Sequence, residues 1–290
     1  YFANGVLAHN CAPPAVASAL LRVVLERTVG DLKLPDAVKI VAAANPVEEA
    51  VGGWELADPL ANRFWHLELT SPSANEWVDW LIGSDTSARR GRAEAKLTRV
   101  DLDVWQEAWP KAKALVAAYM RARPLLSEEP KAYQARTPRA FARPRTWECA
   151  TRLLATAFAA KRNDLVAPLL AGAVGEPIAM EFAVWQDQMD LIDPRELLMD
   201  PSKYVPDEKR TDRVFAQVLA CTGVACDLFD KRNSAKRGIA ERCWDNCWEI
   251  LDKTIPVGEE YVVYGVGQLA RFARNGHAHL LTRANVTPIL

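Results

Sequence analysis

Between Val38 and Leu69 the chain alternates short apolar runs with polar breaks: VKIVAAAN, then PVEEAVGGWELADPLANR, then FWHLEL. Runs of this length, rich in β-branched and aromatic residues and bounded by Asn, Pro and Gly, mark short strands. Val38–Ala43 and Phe64–Leu69 are therefore predicted as strands, neighbours in a small parallel sheet. Ahead of them, Pro13 or Pro14 opens a helix with Val16, Leu20, Val23 and Val24 as its apolar stripe. That helix is predicted to reach Val29 and stop at Gly30. Leu32 and Leu34 alternate with charged residues, which predicts a short strand or hairpin before Pro35.

After Thr70 the apolar spacing becomes helical. Ser73 and Glu76 form a capping box in front of Trp77–Ile82. Ser84–Thr98 is polar and Arg-rich and reads as an exposed loop or a frayed helix. Leu102–Arg123 is a long helical pattern carrying Trp105, Trp109 and Leu115, with a bend expected at Pro110. Ser127–Arg143 is a Pro-rich connector, and Pro144–Ala160 repeats apolar residues at Trp147, Ala150, Leu153, Leu154 and Phe158. Helices follow at Asp164–Ala173 and Pro177–Met189. Asp193-Pro194-Arg195-Glu196 combines a cap, a first-position proline and an N3 glutamate, which starts a short helix. Three more are predicted at Asp212–Asp230, Ser234–Asp252 and Glu259–Arg274. No internal repeat is visible.

Composition narrows the picture. With 290 residues, half of them apolar, the chain can bury a substantial core in one large or two ordinary domains. Its 36 basic and 37 acidic residues nearly cancel, so charge points to no nucleic-acid or acidic-membrane partner. No apolar run approaches the ~20 residues that span a bilayer, and no signal-peptide pattern opens the chain. A soluble, cytoplasmic setting is the expectation. The six cysteines fall in helical patterns, which suits a reducing compartment. Cys221, Cys226, Cys243 and Cys247 are enough thiols for zinc, but neither pair has Cys-x-x-Cys spacing; small apolar residues on buried faces is the simpler reading. His277 and His279 lack an acidic or thiol neighbour in sequence and read as a solvated tail. Trp77, Trp80, Trp105 and Trp109 have helical spacing and apolar neighbours, which favours core packing over base stacking.

Three positions carry candidate chemistry. Asn45 ends an apolar run, where an amide at the carboxyl edge of a parallel strand would face a ligand crevice; the plainer reading is a turn made with Pro46. Arg63 sits in Leu-Ala-Asn-Arg-Phe just before the second run, and otherwise reads as a surface arginine paired with Glu55 or Asp58. Arg139, Arg143 and Arg145 cluster at the opening of the Pro144 helix. A cation there opposes the helix's own positive potential, so the combination attracts anions.

In this order and spacing, the segments from Cys11 to about Met189 resemble the second half of an AAA+ nucleotide-binding core of the MoxR-like or dynein-related branch. The resemblance implies a mixed, mainly α fold: a partial P-loop NTPase α/β core with few parallel strands at 1–70, a helical lid at 71–189 and a helical C-terminal extension at 190–290. It implies Asn45 as the sensor-1 residue that orients the attacking water. Arg63 becomes the arginine finger reaching a neighbouring subunit's nucleotide, a contact worth ~10³ to 10⁵ in rate. Arg145 becomes the sensor-2 arginine on phosphates in cis, with Arg143 and Arg139 as substitutes. ATP and Mg²⁺ as cofactors, a hexamer-like homo-oligomeric ring and remodelling of a protein client follow from the same resemblance. The alternative is a non-catalytic helical scaffold derived from such a protein.

The chain departs from the family in two places. A phosphate cradle needs Gly-Lys-Ser/Thr, and no Gly-Lys pair occurs; neither Gly172–Gly175 nor Gly265–Gly267 is followed by lysine. Where the family carries an Asp-Glu pair this sequence has Leu7-Ala8, and the nearest polar pair is His9-Asn10. A fragment, a shifted reading frame or a degenerate ATPase is expected, one that binds ATP weakly or not at all and does not hydrolyse it.

Overall fold

The computed structural model describes residues 5–9, 14–43, 58–69, 72–82, 99–123, 141–230, 237–277 and 279–280, the side chains of 5–9, 14–18, 80 and 230 excepted. The architecture is mainly helical, as predicted. Strand β1 (Gly5–His9) is followed by helix α1 (Pro14–Glu26), a two-residue hairpin of β2 (Thr28–Val29) and β3 (Leu32–Lys33), and strand β4 (Lys39–Ala43). β1 and β4 pair in parallel, Gly5 opposite Lys39 and His9 opposite Ala43, with α1 in the connection between them. The hairpin before Pro35 is as expected. Helix α1 nevertheless ends at Glu26, because Arg27 takes a left-handed φ of 57° and Gly30, at φ 58°, serves the hairpin turn instead of a helix stop. The Arg27 guanidinium then donates to the carbonyls of Pro35 and Val38, at 2.8 and 2.6 Å, and ties the hairpin to the start of β4.

One predicted strand is overturned. Lys39–Ala43 is a strand, but its described partner is Gly5–His9, and Phe64–Leu69 is irregular. The His66 amide is used elsewhere: it donates to the Gly172 carbonyl at 2.8 Å. Alternation of apolar residues then exposes Leu67 and Leu69 at 63% and 86% instead of burying one face of a sheet.

The helices follow the sequence closely. A short α2 (Asp58–Ala61) precedes α3 (Ala74–Leu81), whose Ser73 and Glu76 make the reciprocal capping contacts at 2.7 and 3.3 Å. Next come α4 (Leu102–Ala122), α5 (Pro144–Ala159), α6 (Val166–Val174), α7 (Glu176–Asp187), α8 (Pro194–Met199), α9 (Thr211–Asp230), α10 (Arg237–Thr254) and α11 (Glu259–Arg274). Asp193 caps α8 by accepting from the Arg195 amide at 2.8 Å, with Pro194 in the first turn. Pro110 is buried inside α4, opposite Gly223 of α9, where a Cβ would come within 3.0 Å of the Pro110 ring. The predicted loop Ser84–Thr98 and most of Ser127–Arg143 lie outside the described residues.

Two apolar cores organise the bundle. The first centres on Tyr119, Trp147, Phe182 and Trp185, four rings with centroids 5.1–5.9 Å apart. The second gathers Leu197, Leu198, Trp244, Ile250, Leu251, Val266 and Leu269. Helix α9 feeds both, Phe215 and Ala216 into the first, Val218, Cys221 and Val224 into the second. The cores therefore share a spine.

Several sequence expectations resolve here. Trp105 and Trp109 pack against the first core and stack on each other at 5.1 Å. Trp77 does not join a core: it is 49% exposed, beside the exposed Val78, Leu81 and Ile82. The Trp80 side chain lies outside the described set. His277 is not a solvated tail, since its ring stacks on Phe272 at 4.5 Å and 8°. Cys243 and Cys247 are buried as predicted, together with Cys221 and Cys226. Burial pushes the Cys221 and Cys226 thiols up to about 12 and raises Cys247 well above the usual thiol value, which leaves them unreactive. Among the described residues no three His, Cys, Asp or Glu side chains converge to hold a metal, and no helix is long and apolar enough to cross a membrane.

Helix α9 is tied to the first core by a carboxylate with a pH signature. Asp212, in the first turn of α9, accepts from the Trp185 indole of α7 at 3.2 Å, from Arg210 at 3.0 Å and from the Arg213 amide at 2.9 Å. Burial opposes its ionisation, but these donors outweigh it and hold the carboxyl below its usual range. A depressed carboxylate adds stability above its unfolded-state pKa, and that stability is lost as pH falls through the folded value. Asp212→Asn is expected to cost about 1–3 kcal/mol near neutral pH. The gap to the unmodified chain should close as pH falls through the acid range, measured as thermal midpoints across a pH series.

Candidate anion site at Arg63 and Arg145

Arg63 follows the single turn of α2, where Leu60 and Ala61 are buried at 2% and 0% and anchor the segment. The Arg63 and Phe64 amides close the turn onto the Leu60 and Ala61 carbonyls at 3.1 and 3.2 Å. The neighbouring Asn62 reaches across: its Oδ1 accepts from the Phe141 amide at 3.2 Å. Phe141 lies in the turn that opens α5. There Thr146 accepts from the Arg143 amide and donates to the Phe141 carbonyl, both at 2.8 Å, which secures the first turn. Arg145 is the second residue of that helix and is exposed.

The two arginines are thereby brought together from distant parts of the chain. Arg63 is half-buried; one end of its guanidinium donates to the Pro59 carbonyl while its Nε is shielded from solvent without an acceptor. Burial first, and then the charge of Arg145, push its pKa down. A guanidinium stays protonated under such pressure, so Arg63 keeps its positive charge within reach of Arg145. Among the described residues no carboxylate pairs with either; the sequence-level pairing of Arg63 with Asp58 does not form. Two guanidinium groups without a carboxylate partner among the described residues, near the positive end of a helix, favour an anion.

The other candidates separate. Arg143 turns onto the Phe141 ring, 5.2 Å from its centroid. Asn45 and Arg139 lie outside the described residues. Sequence reasoning singled out Arg63 and Arg145 but not Asn62, whose only signal was its place beside Arg63. A finger that reaches a neighbouring subunit would be largely exposed and turned away from the opening of the Pro144 helix. The structure holds Arg63 half-buried and in the field of Arg145, because Asn62 and the turn after α2 dock on that opening. Two clefts of about 340 and 430 Å³ lie elsewhere, one beside Arg123 and Trp185, the other between Lys111, Phe158 and Arg195.

No family model, curated protein or solved structure matches this chain.

Proposed function

We infer that this chain belongs to nucleotide-driven machinery of the AAA+ kind, in which ATP hydrolysis by a ring of subunits remodels a partner protein. Arg63 and Arg145 would act on the phosphates. The observation that carries this reading is the pairing of two guanidinium groups, without a carboxylate partner among the described residues, at the opening of α5. The parallel β1–β4 pair with α1 in its connection also supports it, since such crossovers build nucleotide-binding sheets.

The chemistry available to the pair is electrostatic. Negative charge spread over a phosphoryl group's oxygens can be met by the forked donors of two neighbouring arginines. In this reading Arg63 and Arg145 serve one phosphate group, in place of one finger in trans and one contact in cis; the electrostatic coupling between them supports it. Were that phosphate on a neighbouring subunit, the pair would be completed only in an oligomer. The residues present fit the oxygens of ATP. They do not fit Mg²⁺: Leu7-Ala8 stand where the acidic pair would be, and no acidic cluster able to hold a metal occurs among the described residues.

The test is calorimetric titration of the chain with ATP and with inorganic pyrophosphate, neither with added metal. Weak, salt-sensitive binding without hydrolysis is expected, and Arg63→Gln and Arg145→Gln should each lower affinity about tenfold or more, the loss of a charged hydrogen bond. The missing Gly-Lys pair favours one other reading, the non-catalytic helical scaffold. Absence of any phosphate binding by the unmodified chain would select it.

A further inference from the structure

The segment that carries Arg63 is fastened to the helical bundle on both sides of that residue. Upstream, Asn62 accepts from the Phe141 amide at the opening of α5. Downstream, the His66 amide donates to the Gly172 carbonyl at 2.8 Å and the Trp65 indole N–H to the Leu169 carbonyl at 2.7 Å, both on α6. Gly172 lies in the last turn of α6, where carbonyls lack intrahelical donors, so the incoming His66 amide satisfies a group the helix leaves open. His66 also folds its ring back to within 2.9 Å of the Ala61 carbonyl, which keeps the intervening Arg63 turn compact.

The approach depends on a missing side chain. A Cβ on Gly172 would lie 2.2 Å from the His66 carbonyl oxygen and 2.4 Å from the Trp65 indole nitrogen. The first of these is backbone and cannot swing aside. Glycine costs about 1 kcal/mol of helix propensity relative to alanine, and here its contribution is the notch that admits the 65–66 backbone.

We propose that Asn62, Trp65 and Gly172 form a latch that fixes Arg63 beside Arg145, which makes all three positioning residues for the phosphate-binding pair. The proposal rests on the anion reading given above. The latch spans α5 and α6, so the arginine pair is assembled only while the segment after α2 is seated on the bundle. Any movement that unseats it separates the two cations and dissolves the site.

The experiment titrates the full chain with inorganic pyrophosphate, comparing the unmodified protein with Gly172→Ala, Trp65→Phe, Arg63→Gln and the Arg63→Gln/Gly172→Ala double variant. Gly172→Ala should weaken binding about tenfold or more, matching the loss of a charged hydrogen bond. Trp65→Phe keeps the ring, removes only the indole donor, and should weaken binding by a smaller factor. With Gln at position 63, Gly172→Ala should add almost nothing, because it acts through the arginine. If the unmodified chain does not bind pyrophosphate, the anion reading fails and the latch falls with it. If it binds and Gly172→Ala and Trp65→Phe bind equally well, the latch is wrong while the arginine pair stands. Equal losses from Gly172→Ala with Arg or Gln at position 63 would also overturn the latch, since the effect would then be general.

Discussion

Replacing Phe182 by alanine is expected to cost about 3–5 kcal/mol, the range for emptying a fully buried aromatic site. Phe182 is 0% exposed and its ring meets Tyr119 edge-on at 5.1 Å, Trp147 at 5.9 Å and Trp185 at 5.8 Å. These rings come from α4, α5 and α7, so the void would open where three helices meet. The surrounding indoles are rigid and cannot collapse into it, which places the loss toward the upper end. Aromatic pairs add about 0.5–1.5 kcal/mol beyond area burial, and three ring contacts, one of them edge-to-face, disappear together. Urea denaturation followed by circular dichroism should show a lower midpoint at unchanged slope. Helix α9 contributes to both cores, so one cooperative transition is expected. A second transition surviving at the unmodified midpoint would show that the cores fold independently.

A second large effect is expected at Gly265, from overfilling. This glycine sits in α11 where a Cβ would meet Leu251 of α10 at 2.9 Å and Val218 and Thr222 of α9 at 3.0 and 3.1 Å. Alanine should be nearly neutral: small shifts of flexible side-chain ends admit one methyl, and about 1 kcal/mol of helix propensity is recovered. Valine adds two more carbons to a contact already closed and restricts its own rotamer. It should cost about 3 kcal/mol or more by forcing the helices apart. Thr222 makes the damage wider, since its hydroxyl is shared with the Val218 carbonyl and Gln268, each at 3.0 Å. Thermal melts of the two variants decide it; valine tolerated as well as alanine would mean that the three helices are not closely packed there.

The helices were legible because their signals are local. Asp193-Pro194, Ser73 with Glu76 and the run after Pro144 each carry start chemistry within a few residues, and each opens a helix at the expected place. Phe64–Leu69 was not legible. Its residues suit a strand, but strand identity needs a partner backbone, and the His66 amide bonds a helix carbonyl 106 positions away instead. Gly30 misled in the same way: it looked like a helix stop, whereas Arg27 had already taken the left-handed conformation. The stacking of His277 on Phe272 depends on how the chain turns after α11, which side-chain composition does not encode.

By itself the sequence determined where most of the longer helices begin and end, which faces are apolar, that Cys243 and Cys247 would be buried, and which arginines stand in unusual company. Those properties depend on neighbours within about one helical turn, so spacing alone reveals them. Only the tertiary structure decided that β4 pairs with Gly5–His9, that α9 serves two cores, and that Arg63 lies beside Arg145. Each of these joins residues separated by long stretches of chain. In the proposed latch, the last of them rests on three hydrogen bonds and a missing methyl group at Gly172, terms that act only after the helices have packed.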